Sequence, residues 1–379
     1  MKTMAILGLI MLLCFGFPGI AAADDSMNMT GAVQDAMDAL GVTNETPGLC
    51  VLTDAGYAKV DGETTQGCIE TIRKETGCSI GDGNLLPIHR SMDKPLWFAI
   101  FDNMTKDCVY AVYTNGAFTT ATEINIAEEN VTTGDGWNTT KKALGSDAFT
   151  IACIANAWGY GAPYDLLKCA EIHNHLCPGL TSGYLIVDYI RDNYPLGPGE
   201  SYTWIGCPNW CKEDAIQVLL DLTPGKKGMV VKQRSKELFV KEKPLAGILI
   251  IWNDTAKSGS GVAFQYDWGK MCNLSDTNLS DFKPPGGKTN PLFWTVRIKG
   301  SLGFIPYINQ SELFVSLASD EFAVTSEQLD RVKMAGVDPY VELGLEDPAE
   351  VRGDFNGDGE VTSADVLMLL QAAVGKITL

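Results

Sequence analysis

The segment Glu171–Gly179 places three potential metal ligands within five residues. The chain has only three histidines, and two of them, His173 and His175, stand two positions apart with Cys177 two positions further on. Side chains alternate along an extended backbone, so these three would lie on one side of it. Pro178 favours this conformation, because the residue before a proline is pushed out of the helical region. Two imidazoles and a thiolate suit Zn²⁺ or another borderline metal, and we therefore expect a metal site here.

Pro178 also fits the first position of a helix, because apolar residues continue at helical spacing to Ile190. Cys177 would then stand at a helix N-terminus, where the dipole and the free N–H groups favour a thiolate. Such a cysteine is suited either to bind a metal or to attack a substrate. The alternative is a structural turn in which the histidines make hydrogen bonds and the cysteine forms a disulfide.

Three blocks in this half of the chain resemble one known family. The run His173–Leu180, followed by Gly183, is similar to the H-x-H-x-C-P-G signature of the formylmethanofuran dehydrogenase E-subunit family. Cys211–Gln217 resembles that family's later cysteine, which is followed by an Asp-Ala-Ile-Gln helix, and Thr223–Lys226 resembles its Thr-x-Gly-Lys turn. The three blocks follow the family's order within residues 160–255.

The resemblance implies a metal held by His173, His175, Cys177 and Cys211. The family commonly has a further cysteine just before the threonine of the turn, and here that residue is Leu222. Cys207, four residues before Cys211, is the candidate replacement.

Glu171 stands beside the same motif. It is a candidate either for a carboxylate that orients His173 or for a proton acceptor, and a solvated helix face is the alternative. Cys177 and Glu171 are therefore the catalytic candidates if the protein is an enzyme.

The first half of the chain resembles a diverged copy of the same domain, within residues 50–115. Cys68–Leu85 is similar to the block of cysteine, helix and turn, and Lys94–Phe101 corresponds to Lys243–Ile250. We therefore predict an α+β fold with two related lobes of mixed or antiparallel sheets and packed helices, residues 24–150 and 151–335. Domains of this family are expected to pair, so the two lobes could form a pseudo-dimer within one chain.

In such a pseudo-dimer His89, with Cys68 or Cys78, could reach the metal. The alternatives are an ordinary histidine and a disulfide between the two cysteines.

Composition and the N-terminus predict an exported protein. The chain has 47 acidic and 29 basic residues and a net charge of −18, which argues against binding to nucleic acid or to anionic membranes. Residues 1–23 have the pattern of a secretory signal, whose removal would leave no stable membrane span and ten cysteines, an even number that favours disulfides. Nine N-x-S/T sequons fit a secreted or cell-surface glycoprotein.

Local composition gives further expectations. Residues 125–148, rich in Thr, Asn, Gly and Asp, are predicted to form a surface loop or linker. Alternation of apolar residues predicts strands at residues 293–298 and 313–318. Residues 336–350, acidic and with two prolines, are predicted to be a spacer.

Residues 351–379 carry the pattern of a calcium loop followed by an apolar helix. Oxygen-bearing residues occupy the loop positions that bind calcium, and Gly359 stands at the sharp turn. The expected calcium ligands are Asp354, Asn356, Asp358, Glu360, Thr362 and Asp365. The segment resembles a dockerin repeat, which implies a cohesin-type partner, although dockerins usually contain two repeats and only one is found here. The alternative is a C-terminal cap stabilised by calcium.

The sequence therefore predicts an exported protein that binds or handles a transition metal, with zinc as the expected ion, or a metallocofactor, and that is attached through a calcium-binding tail. Two alternatives remain open. One is an enzyme that uses a metal-bound water or the Cys177 thiolate. The other is a scaffold component linked to polysaccharide breakdown and recruited by its tail.

Overall fold

The computed structural model describes residues 27–119, 122–234, 241–347, 355–356 and 360–377. Its helices are α1 Met29–Leu40, α2 Gly67–Thr76, α3 Glu128–Thr132, α4 Gly136–Leu144, α5 Ala148–Gly159, α6 Tyr164–His173, α7 Pro178–Asn193, α8 Lys212–Leu220, α9 Trp268–Leu274, α10 Pro291–Leu302, α11 Ser326–Arg331, α12 Pro339–Glu342 and α13 Ser363–Ala373. Among these described helices, none combines the length and the apolarity needed to cross a membrane.

The strands are β1 Leu49–Thr53, β2 Lys59–Val60, β3 Glu63–Thr64, β4 Leu85–Pro87, β5 Trp97–Asp102, β6 Asp107–Thr114, β7 Ala117–Phe118, β8 Thr122–Asn125, β9 Glu200–Gly206, β10 Met229–Val231, β11 Leu245–Asn253, β12 Ser258–Tyr266, β13 Val315–Leu317 and β14 Phe322–Val324. They form two mixed sheets and one small hairpin, which confirms the predicted α+β class.

The first compact unit contains the described residues up to Pro178 together with Ser275–Thr277 and Asp281–Pro306. Its sheet has the order β4-β1-β5-β6-β7, with β8 also paired to β6. The pair β1 and β4 is parallel, as the crossover helix α2 requires, and the other pairs are antiparallel. Every residue of β1 and β5 is buried, because apolar side chains cover both faces of these central strands.

The second unit contains Gly179–Leu274, Asn278–Ser280 and the described residues from Tyr307 onward. Its sheet has the order β10-β9-β11-β12-β13, with β14 also paired to β12. Here β9 and β10 are parallel and are connected through α8, and the remaining pairs are antiparallel. The two sheets therefore have the same strand order, and in both of them a helix lies in the connection between the two parallel strands.

The two sheets also share individual backbone hydrogen bonds. In the first unit the N–H of Val51 donates to the carbonyl of Asn84 over 2.8 Å, and in the second that of Trp204 donates to Gly228 over 2.9 Å. After the edge strand, Ile88 N–H donates to Thr53 over 2.7 Å, and Lys232 N–H donates to Gly206 over 2.9 Å. The strand register therefore makes Asp54 equivalent to Cys207 and Arg90 equivalent to Arg234.

Two local expectations are wrong. Residues 125–148 contain α3 and α4 instead of a loop, because Val131, Trp137 and Leu144 are buried and support helices despite the polar composition. Residues 293–298 lie inside α10, where Asn290 caps the first turn by accepting from Leu292 N–H and Pro291 opens the helix. The predicted strand at 313–318 is present as β13.

The segment predicted to be a spacer is partly structured. It contains α12, and Tyr340 is only 1% exposed within the apolar cluster of the second unit. Its hydroxyl donates to the carbonyl of Cys207 over 2.6 Å.

One face of the first sheet buries a polar cluster. The Asp54 side chain is completely buried, and its Oδ1 accepts from Trp97 N–H over 2.8 Å. Arg90 lies 4.0 Å from the other carboxylate oxygen and forms a closer ion pair of 2.6 Å with Asp147, which also accepts from the Tyr110 hydroxyl. Burial raises the pKa of Asp54 to about 7, although the Trp97 N–H and Arg90 oppose this and Asp147 adds to it.

A buried carboxyl with a raised pKa predicts a pH-dependent stability. The folded state keeps the Asp54 proton up to about pH 7. The unfolded state loses it near pH 4, so the free energy of unfolding falls as pH rises through this window by up to about 1.4 kcal/mol per unit. Asp54→Asn should remove this slope in urea unfolding measured between pH 5 and pH 8. The exposed Asp35, replaced in the same way, should leave the slope unchanged, and its survival in Asp54→Asn would contradict the assignment.

Candidate metal centre

The predicted ligand motif lies in the short connection between α6 and α7. Helix α6 ends at His173, and Asn174 follows in the left-handed conformation with φ 66°. Asparagine tolerates this conformation better than most residues, so it can end the helix at this position. Helix α7 begins at Pro178, as the sequence predicts. Only four residues separate the two helices, and the whole motif is confined to this turn.

The turn brings the three side chains together. The candidate ligand atoms of His173, His175 and Cys177 all lie within 4.8 Å of one another. The two imidazole centroids are 4.2 Å apart, and Cys177 Sγ lies 3.8 Å from His173 Nε2. Both histidines are half-buried, whereas Cys177 is buried. Convergent imidazoles and a sulfur at this spacing can bind one borderline metal ion.

Asn174 fixes the turn through its side chain and its backbone. Its Nδ2 donates to the carbonyl of His89 over 2.8 Å, and the His89 N–H in turn donates to the carbonyl of Glu171 over 2.9 Å. The Thr150 hydroxyl on α5 lies 2.7 Å from the Asn174 carbonyl oxygen and donates to it. Sequence analysis overlooked Asn174, although an asparagine between two histidines is a signal for left-handed backbone.

Helix α5 also supports the other side of the turn. The Phe149 ring packs against His175, with centroids 5.2 Å apart, and Trp294 of α10 packs against Phe149 at 5.1 Å. The Leu176 N–H donates to the Sγ of the buried Cys153 over 3.1 Å. The motif is therefore backed by packed side chains of its own unit and does not depend on a metal for its position.

Glu171 lies at the end of α6, but its carboxylate is already paired. Lys168 Nζ donates to both of its oxygens over 2.8 Å. Burial raises the pKa of Glu171, and the hydrogen bond and charge of Lys168 oppose that rise. A carboxylate held in this way suits charge compensation near the histidines better than free proton transfer.

Cys211 is the residue that precedes α8 in the second unit. A Cβ atom on Gly179, in the first turn of α7, would lie 3.1 Å from Cys211 Cβ and 3.3 Å from its Sγ. Only glycine permits this close approach without displacing the cysteine.

The residues on both sides of Cys211 are fixed. Trp210 N–H donates to Glu213 over 2.8 Å, and the Lys212 side chain is completely buried. Lys212 Nζ donates to the carbonyl of Pro208 over 2.7 Å, pairs with Glu213 at 2.5 Å and lies 3.6 Å from the centre of the Trp210 ring. No signal in the sequence marks this buried lysine, because Lys212 has the pattern of an ordinary helix residue.

Cys207 is placed away from this group. It follows the last residue of β9, is only 2% exposed and belongs to the apolar cluster of the second unit. Burial, with Asp338 adding to it, raises the pKa of its thiol to about 11, against the opposing charges of Arg234, Lys212 and Lys232.

The remaining candidates lie in the first unit. His89 is exposed, and its ring packs edge-on against Tyr57 at 5.0 Å. Its contact with the turn is made by its backbone, whose carbonyl accepts from Asn174 Nδ2. Cys68 and Cys78 belong to the core cluster beside α1 and α2. Cys78 is a free thiol that donates to the carbonyl of Leu49 over 3.6 Å, so the disulfide considered between it and Cys68 is not formed.

Four of the six expected calcium ligands fall within the described residues, and Asp354 and Asp358 fall outside them. Thr362 caps α13, and its N–H donates to Asp365 Oδ2 over 2.7 Å in a capping box. The N–H groups of Phe355 and Asn356 donate to the other oxygen over 2.8 and 3.2 Å. These backbone donors, that of Thr362 first, hold the pKa of Asp365 below its usual value.

Comparison with known families supports the first resemblance. Residues 172–277 match the family model described as FmdE, Molybdenum formylmethanofuran dehydrogenase operon. The match includes all of the sequence-predicted ligands of the metal site, His173, His175, Cys177, Cys207 and Cys211. A comparison with curated proteins finds no match.

Two substitutions distinguish what the Asn174 side chain contributes to stability from what its left-handed backbone conformation requires. Asn174→Gly should lose about 1 kcal/mol of stability, because the hydrogen bond to His89 is removed while the left-handed backbone remains easy. Asn174→Ala should lose about a further 1 kcal/mol, because alanine disfavours that conformation. Urea unfolding measures both differences.

The matched control is Asn115, which is exposed in a turn with φ 54°. Asn115→Gly should be nearly neutral, and Asn115→Ala should show the backbone cost alone. Equal stability of Asn174→Gly and the wild type would show that the side chain does not hold the turn.

Proposed function

We propose that this protein binds and handles a transition metal or a metallocofactor, with His173, His175, Cys177 and Cys211 as the ligands. The convergence of the first three side chains on one short turn carries the proposal. The candidate ligand atoms of His173, His175 and Cys177 lie within 4.8 Å of one another. Zinc is the ion that best fits two nitrogen and two sulfur ligands.

Cys211 is proposed as the fourth ligand because of its contact with α7. Gly179 lies two residues after Cys177, and its missing side chain admits the Cys211 sulfur. Trp210 and Lys212 hold the residue from both sides, which reduces the freedom that binding would otherwise have to remove. Cys207 is excluded from the proposed set, because it packs in an apolar cluster instead.

Metal binding is favoured over covalent catalysis by the burial of Cys177. A nucleophilic thiolate must reach its substrate, whereas a buried sulfur is well placed as a ligand. The half-buried imidazoles favour a site that solvent or a small ligand can approach. A bound transition metal would supply Lewis acidity there if one coordination position stays open.

We also infer that the sheets of the two units arose by duplication of one ancestral domain. The support is the shared strand order and the shared position of the crossover helix. In addition, the backbone hydrogen bond donated by Val51 corresponds to that donated by Trp204, and the one donated by Ile88 corresponds to that donated by Lys232. Pairing of the two lobes as a pseudo-dimer stays a prediction.

We also propose where the protein is located, on the basis of its N-terminal segment and its C-terminal helix. Residues 1–23 lie outside the described residues and are proposed as a removed secretory signal. Helix α13 and the residue after it expose five apolar side chains, Val366, Leu367, Leu369, Leu370 and Val374. We propose that calcium bound by the preceding loop stabilises this helix and that a cohesin-type partner covers it, so the protein is secreted or held at the cell surface.

The metal proposal predicts a specific pattern of loss. Residues 24–379 should carry one transition metal per chain, measured by mass spectrometry of the purified protein. His175→Ala, Cys177→Ala and Cys211→Ser should each lose most of it, because each removes one ligand. Cys207→Ser is the matched control and should retain the metal, since its thiol lies in the apolar cluster.

The same samples distinguish the proposed transition-metal site from the proposed calcium loop. The three ligand variants and Cys207→Ser should all retain calcium, and Asp365→Ala should lose calcium while keeping the transition metal. Retention of the transition metal in Cys177→Ala, or its absence from the wild type, would refute the site. Retention of calcium in Asp365→Ala would refute the proposed calcium loop alone.

A further inference from the structure

Strand β10 lies at one edge of the second sheet, and half of its backbone groups point away from that sheet. The carbonyl of Gly228 accepts from β9, and the N–H of Lys232 donates to β9 over 2.9 Å. In a parallel pair, every second residue of a strand bonds to the same neighbour, so Val230 also faces β9. The N–H and C=O groups of Val231 and Gln233 therefore point outward.

This outer edge of β10 is accessible. The Val231 side chain is 48% exposed, and Gln233 is exposed as well. Among the described residues, neither of the two outward N–H groups has a hydrogen-bond acceptor. Such an edge can pair with another extended chain, and proteins usually cover or block it for that reason.

The first unit closes the equivalent edge, which is that of β4. By strand register, Pro87 of the first unit is equivalent to Val231. In the same way, His89 is equivalent to Gln233. Proline has no N–H to offer, and the N–H of His89 donates to the carbonyl of Glu171 over 2.9 Å. Neither of these two protections is found at the described residues of the second edge.

A cavity of about 500 Å³ adjoins the edge of β10. Residues 230–233 line one side of it, and the segment from Lys333 to Pro339 lines another. Lys232 attaches this segment to the strand, because its Nζ donates to the carbonyl of Met334 over 2.8 Å and to that of Val337 over 2.5 Å. The cavity can therefore receive side chains from a strand that is added to the edge.

The charges of the lining favour acidic side chains. The lining contains two cations, Lys232 and Lys333, and one acidic residue, Asp338. The two acceptors of Lys232 are neutral carbonyls, and the Asp338 side chain already accepts from Tyr340 N–H over 2.9 Å. The chain as a whole has a net charge of −18, so two copies repel each other, whereas an acidic segment is attracted to this lining.

We propose that the outer edge of β10 binds an extended acidic peptide segment of a partner protein, which becomes the next strand of the sheet. The peptide backbone accepts from the N–H groups of Val231 and Gln233. Its side chains alternate, so that one set enters the cavity beside Lys232 and Lys333 and the other set packs near Val231. This surface uses none of the proposed metal ligands.

The fluorescence anisotropy of a labelled peptide of alternating glutamate and valine tests the proposal. Titrated with the purified chain at low salt, the peptide should bind with a dissociation constant of about 100 μM or tighter. The same peptide with lysine in place of glutamate should not bind measurably. Absence of binding by the glutamate peptide, or equal binding of the lysine peptide, would overturn the proposal.

Two variants locate the binding surface. Val231→Pro should weaken binding by about tenfold or more, because it removes an outward N–H. Proline occupies the equivalent position in the first unit, so the strand should tolerate it. Lys333→Glu should also weaken binding by about tenfold, because it reverses a charge of the lining. Lys257→Glu is the control, since Lys257 is exposed in the turn between β11 and β12.

Unchanged binding in Val231→Pro would refute the pairing with β10. If that variant does not fold, Lys333→Glu decides the question, and unchanged binding there would refute the site.

Hydrogen exchange of single backbone amides gives an independent readout. In the free protein, the amides of Val231 and Gln233 should exchange faster than that of Lys232, which is bonded to β9. The glutamate peptide should slow the exchange of Val231 and Gln233. Equal rates with and without the peptide would contradict the added strand.

Sedimentation of the free chain distinguishes a partner peptide from a second copy. The chain should show no self-association through this edge. Self-association that Val231→Pro abolishes would assign the edge to a second copy and overturn the proposal.

Discussion

The proposed metal site depends on one backbone feature, which is the turn of four residues between α6 and α7. Asn174 ends the first helix in a left-handed conformation, and Pro178 starts the second. The side chains of His173, His175 and Cys177 converge because the three residues lie within this short turn or directly beside it. The hydrogen bonds of Asn174 to Thr150 and His89 keep it closed. A metal would therefore meet ligands that are already assembled, which lowers the entropic cost of binding.

The two units have the same strand order but differ in the residues that follow the paired strands. Both place a crossover helix between two parallel strands and an arginine three residues after the edge strand. In the first unit Asp147 neutralises that arginine inside the fold. In the second, Cys207 stands at the position of Asp54, and Arg234 pairs with Glu346.

Much of this arrangement was predictable from the sequence. Pro178 predicted the start of α7. The extended backbone expected for His173–Cys177 is wrong, because His173 ends α6 and Asn174 is left-handed, and the three side chains converge through a turn instead. The correspondence of Lys94–Phe101 with Lys243–Ile250 placed two strands that occupy the same position in the two sheets. These features succeeded because they rest on local rules for proline, helix starts and apolar runs.

Other features were beyond such rules. The helices α3 and α4 form in a polar segment because a few buried side chains, such as Trp137, support them. The burial of Lys212 and the placement of Cys207 in an apolar cluster result from tertiary packing, which one sequence does not reveal. The left-handed Asn174 did have a local signal, but its partners, His89 and Thr150, are distant in the chain.

The X-ray absorption spectrum of the metal-loaded protein identifies the atoms that bind the metal. For zinc, we expect two sulfur atoms at about 2.3 Å and two nitrogen atoms at about 2.0–2.1 Å. Cys207→Ser should leave the sulfur contribution unchanged, because its thiol is not among the proposed ligands. A shell of oxygen and nitrogen atoms without sulfur would contradict the proposed centre.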